Sequence, residues 1–86
     1  MDLLKSAMDA FQIPQDTAVQ YSSLQIFGNH QVKLENYTRM IDYSPNRLLL
    51  QCKTCQIEIC GKELQILRYS SQELLLDGVI QKVMFL

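Results

Sequence analysis

Eighty-six residues, 48% of them apolar, suffice for one small domain with a single core and leave no material for a second. Eight Lys and Arg and nine Asp and Glu are scattered without a run of one sign and give a net charge of -1; this argues against a phosphate-tracking surface and so against nucleic acid as the main ligand. No apolar stretch approaches the ~20 residues that span a bilayer, so a soluble, cytoplasmic chain is expected. Three cysteines, an odd number and too few for a secreted disulfide scaffold, fit a reducing compartment.

In chain order the first element is a short amphipathic helix within 1–12, with Leu4, Ala7, Met8 and Phe11 at helical spacing. Pro14 stops it and opens a polar connection over 13–23. From Leu24 to the end the period becomes two. Leu24 and Ile26, Val32 and Leu34, Leu48, Leu50 and Cys52, Ile57 and Ile59, and Leu64 and Ile66 alternate with polar residues, as on strands with one buried face. Breaks are predicted at Gly28-Asn29-His30, Asn36 to Arg39, Ser44-Pro45-Asn46, Lys53-Thr54-Cys55, Gly61-Lys62, Tyr69 to Gln72 and Asp77-Gly78. Connections this short allow only antiparallel neighbours. The expected fold is all-β: a small antiparallel meander forming a sandwich or roll, with the helix lying against it.

Leu48-Leu49-Leu50, Leu74-Leu75-Leu76, Val79-Ile80 and Val83-Met84-Phe85-Leu86 are apolar on both parities. A strand covered on one face only should not look like this, and three helical turns are too few to cover them all, so a homo-oligomer is expected. The segment ending at Leu86 must be paired within the sheet, buried at a subunit contact, or both.

No group of residues forms a catalytic constellation. Cys52-Lys53-Thr54-Cys55 has the spacing of half a zinc site or a redox pair, with Cys60 and His30 as the remaining donors. On a strand Cys60 would lie about 16 Å along from Cys55, too far for three thiolates to share one metal. Thioredoxin-type cysteines belong at a strand-to-helix junction, whereas these flank a hairpin. Packing is therefore the expected role of all three. His30 would need Glu35 or Asp42 brought to it across a hairpin to act as a base; a solvent-facing turn histidine is the simpler reading. The aromatic residues lack interleaved basic ones, so they are assigned to core and turn packing. No catalytic, cofactor-binding or metal-binding residue is assigned.

Taken in order, Ile26-Phe27-Gly28-Asn29, Val32-Lys33-Leu34-Glu35-Asn36, Ile41-Asp42-Tyr43-Ser44, Ile57-Glu58-Ile59-Cys60-Gly61-Lys62-Glu63-Leu64 and Glu73-Leu74-Leu75-Leu76-Asp77-Gly78-Val79-Ile80 resemble the YqfC/YabP family of sporulation proteins. Ile13-Pro14-Gln15-Asp16 extends the likeness upstream. Tyr37, Arg39 and Cys55 depart from it, standing where the family commonly has histidine, glycine and glycine. The resemblance implies one non-enzymatic domain over 1–86 that acts in the mother cell during spore development, at the forespore surface, beside a membrane-protein partner. A self-assembling protein-interaction module without a cofactor or small-molecule substrate is the expected function. A small metal- or nucleic-acid-binding β-barrel is the alternative.

Overall fold

The computed structural model describes residues 21–86, so the helix expected within 1–12 and most of the connection fall outside the described residues. The described chain is all-β: β1 (Ser23–Phe27), β2 (Gln31–Glu35), β3 (Arg39–Ser44), β4 (Arg47–Gln51), β5 (Gln56–Tyr69) and β6 (Glu73–Phe85). They form one antiparallel sheet in the order β1-β2-β6-β5-β4-β3. The meander runs from β3 through β6, and the β1–β2 hairpin joins it because β2 pairs with β6.

Two predicted turns are corrected. Gly61-Lys62 and Asp77-Gly78 lie inside the two longest strands, which carry 14 and 13 residues. Both strands bend there, with register shifts between Cys60 and Gly61, between Lys62 and Gln65, and between Ile66 and Arg68. The glycines are needed for close approach. A Cβ at Gly61 would land on the Val79 carbonyl oxygen, and one at Gly78, whose φ is 143°, would come within 2.8 Å of the Glu63 carbonyl oxygen. Of the three glycines only Gly28 (φ 59°) sits in a true turn.

The bend folds the sheet on itself. One half holds β1, β2, the start of β6 and the end of β5; the other holds β3, β4, the start of β5 and the end of β6. Two turns clamp the bend: Gly61 and Leu64 N–H donate to the Asn46 and Pro45 carbonyls at 3.0 and 2.8 Å, and Gly78 and Ile80 N–H donate to those of His30 and Asn29 at 3.0 and 2.7 Å. Between the halves lies one core of Val32, Leu34, Tyr37, Leu48, Leu50, Cys52, Ile57, Ile59, Leu64, Leu74, Leu76 and Ile80. These are the inward positions of the alternating pattern, joined by Tyr37 from the crossing between halves. Tyr37 stacks on Tyr69 at 6.1 Å and donates its hydroxyl to the Ser70 carbonyl, so its role is packing.

On the outer faces, Leu49 has Asp42 and Glu58 as ladder partners, and Arg47 reaches both carboxylates at 3.2 and 2.5 Å. Leu75 has Lys33 and Arg68 as ladder partners, and both reach Glu73 at 3.6 and 3.1 Å. The two triads have the same plan with charges reversed. Leu49, only 9% exposed, is thus covered from within its own chain.

Candidate functional site

The Cys52-Lys53-Thr54-Cys55 segment forms the β4–β5 turn, where Cys52 N–H donates to the Cys55 carbonyl at 2.8 Å and the Gln51 amide donates to the Cys52 carbonyl at 2.7 Å. Cys52 points into the core, and burial pushes its thiol pKa up, away from the thiolate that metals and redox chemistry require. All three cysteines are free thiols. Among the described residues no three His, Cys, Asp or Glu side chains are grouped so as to hold a metal ion.

His30 is not brought to either acid that the sequence offered it. Glu35 lies at the far end of β2, and Asp42 is bound to Arg47. His30 instead lines an open cleft of about 670 Å³ at the bend, with Tyr43, Glu63, Leu64, Asp77 and Val79. Tyr43 donates its hydroxyl to the Leu64 carbonyl at 2.7 Å, and the Asp77 carboxylate accepts the Gln31 amide at 3.3 Å. Glu63 is held in the left-handed region with φ 53°, which for a residue with a Cβ is an outlier imposed by the bend. The polar side chains lining the cleft are an imidazole, a phenol, an amide and two carboxylates, those of His30, Tyr43, Gln65, Glu63 and Asp77. Sequence reasoning missed this grouping because it depends on the bend, which looks like two hairpin turns on paper.

The strand edges are the second feature. Edges present unpaired backbone groups, which proteins blunt with bulges and charges. The β3 edge is bulged between Met40 and Asp42, and the open end of β5 between Ile66 and Arg68, each with charged neighbours. The other two edges lack this protection. β1 pairs with β2 over five uninterrupted positions and carries no charge. From Lys82 to Phe85, β6 pairs without interruption with Ile57 to Cys60 and carries one charge. Leu86 and Gln56 extend this ladder by exchanging hydrogen bonds at 2.8 and 3.1 Å, so the segment ending at Leu86 is paired within the sheet. Its side chains nevertheless stay open: Phe85 is 65% exposed and Leu86 57%. Among the described residues no helix is long and apolar enough to cross a membrane.

Comparison with known proteins gives the family. The YabP family model matches residues 19–86, which include every strand. Uncharacterized protein YqfC of Bacillus subtilis (strain 168) is 29% identical over 76 residues, covering 88% of this chain and 82% of that protein. No solved structure matches the chain. The chain belongs to the YabP family.

Proposed function

We propose that the protein is a non-enzymatic, self-assembling interaction module that acts in the mother cell during spore development, at the forespore surface, beside a membrane-protein partner. The observation that carries this reading is the pair of unguarded strand edges, β1 and the end of β6, in a domain whose other two edges are bulged and charged. Such edges bind by adding a strand: backbone hydrogen bonds supply affinity and exposed side chains such as Phe85 supply selectivity. Family membership supports the sporulation setting.

The test is chemical cross-linking of the tagged protein in sporulating cells. Adducts of the chain with itself and with a membrane protein are expected; a diffuse protein that gives no adduct would overturn the proposal. The rival metal-binding reading requires stoichiometric zinc in the purified chain. The rival nucleic-acid reading requires salt-dependent retention on single strands. With Cys52 committed to the core and no basic cluster in the sequence, neither has support comparable to that of the edges.

A further inference from the structure

Gln56 and Leu86 exchange both backbone hydrogen bonds, which fixes the orientation of every peptide group back along the end of β6. In an antiparallel ladder the hydrogen-bonded pairs alternate. Given the register Ile57 to Phe85, Glu58 to Met84, Ile59 to Val83 and Cys60 to Lys82, it is Met84 and Lys82 that bond to β5. Val83 and Phe85 turn their N–H and C=O groups outward, to the side on which β2 pairs only with Glu73 to Asp77 and no described strand reaches the end of β6. An outward-facing pair two residues apart is self-complementary: a second copy, antiparallel about a two-fold axis at Met84, sets Val83 opposite the partner's Phe85 and Phe85 opposite the partner's Val83.

We infer that two copies of the chain join through this edge, in this register, to make one sheet continuous across the dimer. The inference rests on the self-assembly proposed above and names the edge that performs it. Four backbone hydrogen bonds form, using the outward groups of residues 83 and 85 on both copies. The exposed Phe85 ring is covered on the inner-face side by the partner's Val83. Charge agrees with this arrangement. Lys82, the one charge on the segment, falls on opposite sides of the axis in the two copies, four residues from its equivalent. That spacing is roughly 13 Å, beyond the ~8 Å screening length at physiological salt, so the lysines do not oppose pairing. An isologous contact of this kind also closes on itself and leaves no further copy to add at this edge.

Val83→Pro tests the register. The Val83 N–H is not used in the β5 ladder, so proline there removes an outward donor and obstructs the second copy while leaving the fold's own bonds in place. Light scattering at tens of micromolar should give the wild type about twice the 10.0 kDa of one chain, and the variant the single mass with an unchanged β spectrum. Met84→Cys supplies a second readout that does not depend on tolerance of proline. At the axis, facing residues form a non-hydrogen-bonded pair with Cα atoms about 4.5 Å apart, within disulfide range. Mild oxidation should therefore link residue 84 to residue 84, identified by the mass of the joined peptides. A wild-type monomer would overturn self-assembly and this inference together. A dimer that survives Val83→Pro and gives no 84–84 link would overturn this edge alone.

Discussion

At the scale of single residues, the glycines and the outer-face triads make the sharpest demands. At Gly61 any side chain meets the Val79 backbone, so Gly61→Ala must push two strands apart; a loss of about 3 kcal/mol or more is expected. Gly28 has the left-handed φ but open space around its Cβ position, so Gly28→Ala should cost only about 1–2 kcal/mol. Urea unfolding of both variants checks the order, and equal losses would mean that the bend can relax. The triads predict a reversal. Leu49→Glu would put a third carboxylate between Asp42 and Glu58, whereas Leu75→Glu would sit between Lys33 and Arg68. The first should be the less stable by roughly 1 kcal/mol, and lysine at the same two positions should invert the order. The same ion pairs set an acid limit. The hydrogen bond from Arg47 holds the Glu58 carboxyl below the usual glutamate range, and that from Arg68, with Lys33, does the same for Glu73. A depressed folded-state pKa contributes stability that is present above the unfolded value and is lost as pH falls through the folded one. The melting temperature should therefore drop as pH falls below the ordinary glutamate pKa, and Arg47→Gln should flatten that drop. An unchanged pH profile in the variant would show that Glu58 is not held by Arg47.

At the scale of elements, the β5–β6 hairpin organises the rest. Each strand takes part in both halves of the folded sheet: β2 attaches to β6 and β4 to β5, and β1 and β3 join through β2 and β4. Deleting Met84 to Leu86 would remove the ladder to Ile57 and Glu58 and the Leu86–Gln56 bond pair. Fully buried, three such side chains would be worth about 1.5–3 kcal/mol each. With Phe85 and Leu86 more than half exposed, the loss comes chiefly from Met84 and the backbone bonds, and a melting point lowered by several degrees is expected for so small a domain. Light scattering on the same sample should show a single chain. An unchanged melting temperature and mass would mean that this segment contributes nothing to fold or assembly. At β4–β5 the cysteines separate by burial. Replacing core Cys52 by serine should destabilise by about 1–3 kcal/mol, whereas half-buried Cys55 and Cys60 should tolerate the change. Equal, large losses at all three, or zinc lost on replacement, would restore the metal reading.

At the scale of the whole molecule, one bent sheet supplies both layers of a small sandwich, and its four edges differ in how they are guarded. Strands apolar on both parities predict self-assembly through a sheet face, but Leu49 is covered by its own chain, which leaves the open strand edges as the surface for a second copy. This relocation changes which substitutions probe the interface: a charge at Leu49 tests the fold, whereas Val83→Pro tests the contact between copies.

The period-two pattern determined, by itself, the all-β class and most of the core, because side chains alternate across a sheet whatever the strand order. Leu48 and Leu50, Ile57 and Ile59, Leu74 and Leu76 all point inward as the alternation requires. The ordered set of turn motifs likewise carried the family. Only the tertiary structure decided that Gly61 and Gly78 bend strands rather than end them, since a glycine marks freedom of the backbone and not the direction the chain then takes. It alone placed His30, Glu63 and Asp77 around one cleft, through contacts between distant strands that local spacing does not encode. And it alone separated guarded edges from open ones, because an edge is defined by which neighbour is missing, a property of strand order that no single segment carries.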